Sequence, residues 1–195
     1  QTGEDGCGWG YWVSVVDRVQ LAQQGMQDAP ASFGAVCHGP VITDTAAAAF
    51  SGCIARTNNT AELSAVPQML ARACRYQRDK RDSARRRRRP PPPPLTLIFC
   101  YDSQYTHDTC VADAASPLPR RNRTIVALCR RLLADAAQLG IAVAWVKVRG
   151  HSTTNPADMT VVGNNRADKA ADRGQEGKTC GEIEIAKYMR WELGR

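Results

Sequence analysis

Three acidic residues and one histidine stand where a side chain could do chemistry. Glu62 lies in Thr57-Asn58-Asn59-Thr60-Ala61-Glu62-Leu63, and Asp102 in Tyr101-Asp102-Ser103-Gln104-Tyr105. His151 lies in Val148-Arg149-Gly150-His151-Ser152, and Asp168 in Asn164-Asn165-Arg166-Ala167-Asp168. Carboxylates gathered in one fold are oxygen ligands for hard divalent cations, and a pair of such ions roughly 3.5–4 Å apart can drive phosphodiester cleavage. A histidine titrating near neutrality adds proton handling. Each residue also has a plainer reading. Glu62, three residues after Asn59, fits a capping box with Asn59 as N-cap. Asp102, at the end of an apolar run, fits a helix N-cap. Asp168 and Asp172, four residues apart, share one helix face, and the spacing does not choose between them. A single histidine on a loop is usually a surface residue.

The elements that must position these groups follow from pattern. Tyr11 to Val19 is rich in β-branched and aromatic residues and reads as a strand, with glycines at 6, 8 and 10 leading into it. Residues 20–32 are polar and read as an inserted loop. Phe33 to Cys37 and Ala47 to Ala55 are further expected strands, separated by the breaker Gly39-Pro40. A helix is predicted from about Asn59, with Leu63, Val66, Leu70, Ala73 and Cys74 on one face. Pro67 lies too deep for a first-turn proline and predicts a kink or a shortened helix. Residues 79–94 carry a charged stretch, five arginines and five prolines, and read as a disordered surface insertion.

Leu95 to Tyr101 is a continuous apolar run, expected to be a central strand, and a short helix follows from Gln104. Asn122 to Leu139 predicts a strong helix, with Ile125, Leu128, Cys129, Leu132, Leu133 and Ala136 on one face and Gly140 as its stop. Ile141 to Val148 reads as a buried strand and 149–162 as a loop. Asn164 to Asp172 starts a helix, and the tail from Glu182 to Leu193 is helical. Strands first, then helix, strand, helix, strand, helix, is an α/β domain with a mixed sheet.

A chain of 195 residues is most simply one domain with a real core. No apolar run is long enough to cross a bilayer. Gln1 to Gly10 is neither a signal peptide nor a transit sequence. The net charge of +7 suits a nucleic-acid partner, but Arg85 to Arg89 supply five of those charges and the rest of the chain carries +2. That tract is either a solvated insertion or a flexible phosphate anchor, and its composition favours the first. The eight cysteines form no C-x-x-C pair, which argues against a zinc site. Several, such as Cys100 after Leu97-Ile98-Phe99, read as buried small hydrophobes of a reducing, intracellular compartment.

Taken together and in this order, the four segments resemble the ribonuclease H family, type 1-like, which cuts the RNA strand of RNA–DNA hybrids. The resemblance runs from about Gly8 to about Ala171. It implies a mixed central sheet flanked by helices and a nucleic-acid partner, with no membrane. It implies that Glu62, Asp102 and Asp168 are catalytic carboxylates holding Mg²⁺, or Mn²⁺ in its place. It chooses Asp168 over Asp172, because Asn-x-Arg-x-Asp is how the family presents its last carboxylate. It assigns His151 to departure of the leaving group or product. Asn58 and Asn59 inherit contacts to the hybrid's sugar edges, where an amide can both donate to and accept from a 2′-hydroxyl. Ser103 and Gln104 become phosphate contacts at a helix N-terminus.

The chain departs from the family at Asn165, where the family often has an acidic residue, in a longer loop between His151 and Asp168, and above all at its start. The family's first strand, with the first catalytic aspartate at its end, is not found before the glycine-rich stretch. Gln1 to Glu4 cannot make a buried strand, and Asp5 lies too close to Tyr11. Two functional readings follow. One is a Mg²⁺-dependent endonuclease on RNA–DNA hybrids. The other is a catalytically weak or inactive module for nucleic-acid binding or assembly in a larger ribonucleoprotein or retroelement polyprotein. A processing nuclease on structured RNA would use the same residues.

Overall fold

The computed structural model describes residues 7–15, 33–112, 115–150, 158–180 and 184–193. Strands β1 (Gly8–Val15) and β2 (Phe33–Pro40) form an antiparallel pair, with Gly8 opposite Pro40 and Val15 opposite Phe33. Strands β3 (Leu95–Tyr101) and β4 (Ile141–Lys147) form a parallel pair, with Leu95 opposite Ile141. Five helices accompany them among the described residues: α1 (Asn58–Arg86), α2 (Gln104–Val111), α3 (Arg123–Gln138), α4 (Met159–Gln175) and α5 (Glu184–Leu193). This is the expected α/β architecture with strand pairs of both senses.

Helix α1 is the element most of the core is built on. Its buried stripe includes Leu63, Val66, Leu70 and Cys74. These pack in one cluster with Trp9 and Tyr11 of β1, Ile125 and Leu132 of α3, Ile141 of β4, and Ile185 and Tyr188 of α5. The helix runs 29 residues with Pro67 inside it, so the proline does not shorten it. A proline in a helix interior costs about 3 kcal/mol or more. Leu63 and Leu70 on either side of it are fully buried. Each is worth roughly 1.5–3 kcal/mol of apolar burial, so the stripe offsets the break.

The expected disorder over 79–94 is likewise corrected. The helix continues through Arg86, and Arg87 closes it by donating its amide to the Ser83 carbonyl at 3.0 Å. Only 87–94 is irregular. The Pro93 carbonyl accepts from Gln77 Nε2 at 3.3 Å, which lays the proline run back along the helix. Charge does not oppose helix where long side chains reach water, and Arg75 lies 4.0 Å from Asp79 one turn on.

Residues 47–55 form turns and bends, not the expected strand. The cause is Asp44: its carboxylate accepts from Ala46 N at 2.9 Å and its carbonyl from Ala47 N at 3.2 Å. That side-chain-to-backbone turn competes with a strand, and a run of alanines has little to set against it. Strand β1 starts at Gly8, so two of the glycines expected to lead into it lie within it. Helix α4 lies directly on that face: a Cβ on Gly8 would stand 2.1 Å from Gln175 N, and one on Gly10 2.4 Å from Ala167 O. The glycines admit a helix backbone where a side chain would exclude it. The same helix begins at Met159, inside the expected 149–162 loop. The polar loop expected over 20–32 lies outside the described residues.

Helix α3 has Asn122 as its N-cap, and Gly140 follows its end at φ +66° as expected. Helix α5 docks through Ile185 N, which donates to Gln68 Oε1 at 3.0 Å, and through Glu184, 2.8 Å from the Arg75 guanidinium. Cys53, Cys74, Cys110 and Cys129 are buried in the core. Cys100 is exposed, contrary to expectation, because it shares with Thr96 the face of β3 turned away from the core.

Thr57 sets the start of α1 (see below), and Thr57→Ala is expected to destabilise the protein by about 1 kcal/mol. Urea unfolding would read this as a lower midpoint at unchanged slope.

Candidate active site

The groups that could do chemistry are freed by the residues next to them. At the start of α1, Thr57 is the N-cap: its hydroxyl accepts from Thr60 N at 3.2 Å. Thr60 returns the bond, its hydroxyl accepting from Thr57 N at 2.8 Å. The capping box is therefore Thr57 and Thr60, not Asn59 and Glu62, and Glu62 projects elsewhere. At the start of α2 the cap is Ser103, whose hydroxyl accepts from Thr106 N at 3.3 Å. Asp102, expected as an alternative cap, is free of that duty. Helix α4 is capped by Asp158, which leaves Asp168 in mid-helix.

Glu62, Asp102 and Asp168 all line one cavity of about 630 Å³. Glu62, Asp102 and Asp168 are each half-buried. Thr106 Oγ1 donates to Glu62 Oε2 at 3.4 Å. Asn164 Nδ2 donates to Asp168 Oδ2 at 3.3 Å, one helical turn away. Asp102 sits just past β3, and Lys147 at the end of β4 donates to its carbonyl oxygen. A Cβ on Gly150 would stand 2.9 Å from Asp102 Oδ2, so the loop passes tightly over this carboxylate. Asp172, the rival of Asp168, is exposed and does not line the cavity.

The other expected site residues fall less uniformly. Asn58 and Asn59 open α1 with both side chains exposed, and Asn58 is one turn from Glu62 on the same face. Ser103 spends its hydroxyl on the cap. Gln104 is exposed and donates through Nε2 to Asp108 Oδ1 at 2.7 Å. His151 lies outside the described residues, but Gly150 next to it adjoins Asp102. Among the described residues no three His, Cys, Asp or Glu side chains stand close enough together to form a metal-binding group. The carboxylates share a cavity without forming a closed cage. Thr106, Lys147 and Gly150 were not foreseen as supports; only Asn164, four residues before Asp168, carried a signal in its spacing.

The ribonuclease H family model matches residues 23–176, well over half of the chain. The chain belongs to the ribonuclease H family. Membership carries, at the level of the family, hydrolysis of RNA in RNA–DNA hybrids, a nucleic-acid substrate and use of a divalent metal. No match to the chain was found among curated proteins or among solved structures. No helix among the described residues is long and apolar enough to cross a membrane.

The donors present in this ribonuclease H domain suit such an ion in kind. Carboxylate oxygens are hard ligands, and Mg²⁺ commonly takes one or two carboxylates and completes its shell with water and substrate phosphate. An open arrangement of three half-buried carboxylates fits that mode better than a cage would.

Gly150→Ala is expected to push the Asp102 carboxylate out of place. Any hybrid cleavage by this domain should fall about tenfold or more, as is usual when the support of a site carboxylate is lost. Initial rates measured beside an unchanged melting temperature would check it.

Proposed function

We propose that the chain is a divalent-cation-dependent endonuclease that hydrolyses the RNA strand of RNA–DNA hybrids. One observation carries the reading: three carboxylates from α1, the end of β3 and α4 line a single cavity, and neither Glu62 nor Asp102 serves as a helix cap. Glu62, Asp102 and Asp168 would hold Mg²⁺, with Mn²⁺ able to replace it. A bound ion supplies Lewis-acid stabilisation of charge developing on the phosphoryl oxygens. Thr106 and Asn164 orient Glu62 and Asp168, so less freedom is lost when substrate arrives. Asn58 and Asn59, exposed at the head of α1, can read 2′-hydroxyls beside the cut. The free backbone N–H groups opening α2, next to Asp102, favour a phosphate there, with Ser103 and Gln104 at that end. His151 follows the glycine that lies against Asp102, which suits a protonated imidazole acting as general acid toward the departing oxygen.

A second reading has its own support. Glu62, Asp102 and Asp168 are three carboxylates where the family's full set includes one more aspartate on its first strand, which suits a module that binds hybrid and cuts weakly or not at all. A gel assay of hybrid, duplex DNA and duplex RNA with Mg²⁺ separates the two. The nuclease reading expects hybrid cleavage that Asp102→Asn and Glu62→Gln abolish and Asp172→Asn leaves intact. Hybrid retained without any cleavage above the Asp102→Asn background favours the binding module.

A further inference from the structure

We propose that Cys37 and Cys180 form a thiol–disulfide exchange site, at which a small disulfide of the glutathione type converts the two thiols into a bridge between β2 and the chain leaving α4. The inference rests on the fold and not on the nuclease reading. Cys37 lies in β2, and Cys180 follows the end of α4 at Gln175. The two come together because the chain past α4 returns alongside the strand. Cys180 N donates to the His38 carbonyl at 3.2 Å, and His38 N donates to Cys180 Sγ at 3.1 Å. Backbones bonded in this way lie about 5 Å apart, as neighbouring strands do, and a disulfide spans that Cα separation. The Cys37 and Cys180 thiols already share a hydrogen bond.

Access and charge single out this pair. Cys110 and Cys129 also share a hydrogen bond, but both are buried in the core, out of reach of a dissolved reagent. Cys180 is exposed, and Cys37 beside it is half-buried. Arg72 of α1 donates through Nη1 to Cys37 Sγ at 3.1 Å. A guanidinium in that place compensates the negative charge a sulfur carries during exchange, which separates reactive cysteines from inert ones. Partial burial pushes the Cys180 thiol up, so it rests protonated until an oxidant arrives. A bridge between accessible sulfurs is of the transient, redox-sensing kind when its surroundings are reducing.

Cys180, the sulfur a reagent reaches, gives its proton to water and attacks one sulfur of the small disulfide. That S–S bond breaks, and one small thiolate leaves and takes up a proton. Cys37 then loses its proton and attacks Cys180 Sγ. The bond from Cys37 to Cys180 forms, the mixed disulfide breaks, and the second small thiolate leaves and is protonated. Two protein thiols are oxidised, and one small disulfide is reduced to two thiols. The bridge closes residues 37–180 into one loop, and a cross-link across a long loop stabilises chiefly by restricting the unfolded chain. It also fastens the far end of α4, the helix that carries Asp168, to β2, where Gly174 already lies against the Gly39 carbonyl.

The test equilibrates the 195-residue chain with mixtures of reduced and oxidised glutathione, quenches in acid, alkylates the remaining thiols and maps the cysteines by mass spectrometry without reduction. Oxidising mixtures should give a Cys37–Cys180 cross-link within one chain, reversed by dithiothreitol, and raise the melting temperature by about 5 °C or more. Cys37→Ser should stop at a glutathione adduct on Cys180. Cys180→Ser, at an exposed position, should melt as the reduced wild type does and gain nothing from oxidation. If Cys37→Ser fails to fold, the wild type and Cys180→Ser decide the matter. A glutathione adduct that persists on Cys180 in the wild type, a cross-link forming first between Cys110 and Cys129, a bridge between two chains, or alkylation of every cysteine under oxidising mixtures would each overturn the inference. A Cys37–Cys180 bridge that leaves melting unchanged or lowers it would show that the fold does not hold the pair ready, and would overturn it too.

Discussion

Burial of the α1 stripe is the interaction on which the rest of this structure depends. The two strand pairs share no ladder hydrogen bonds with each other among the described residues. What joins them is the apolar cluster in which α1 meets β1 on one side and α3, β4 and α5 on the others. Hydrophobic burial is non-directional, so it can hold two sheets side by side without specifying a register between them. Directional bonds then fix the periphery: Gln68 to Ile185, Arg75 to Glu184, and Tyr188 to Asp135 pin α5 over α1 and α3. The same burial lets α1 absorb Pro67 and carry a charged extension to Arg86.

The site shows how helix ends can be arranged to leave carboxylates available. A helix start has four amides without partners, and an acid nearby is easily drawn into satisfying them. Here Thr57, Thr60 and Ser103 do that work with hydroxyls. Neutral caps leave Glu62 and Asp102 turned toward the cavity, where Thr106 and the Gly150 loop bear on them instead. Asp168 reaches the same space from α4, and α4 lies where it does because Gly8 and Gly10 let its backbone rest on β1. Glycines on a strand and hydroxyls at two caps thus position three acids remote in sequence.

Much of this was legible in the amino-acid order. Leu95 to Tyr101 and the helix from Gln104 appear with the bounds their pattern implies, since an apolar run bounded by turn residues has few alternatives. Helix α3 follows its 3.6-residue stripe and stops at Gly140. Where reading by pattern went astray, a competing local bond or a distant surface had decided. Asp44 captured two amides and turned Ala47 to Ala55 away from a strand. Pro67 looked able to shorten the helix because the pattern cannot weigh leucines that become fully buried only in the folded chain. Residues 79–86 looked disordered because composition does not register a helix already nucleated twenty residues upstream.

The sequence by itself determined the family, the order of elements and the identity of the candidate acids, because these depend on residue types at short and fixed spacings. Only the tertiary structure decided which acids serve no cap and which face a common space. Asp168 and Asp172 are indistinguishable on a helical wheel, yet one lines the cavity and the other meets solvent. Glu62 and Asp102 could each have served as a cap, and hydroxyls one to five residues away took that role. Such outcomes turn on which surfaces meet, and spacing along a chain does not contain the relative placement of elements that only packing brings together.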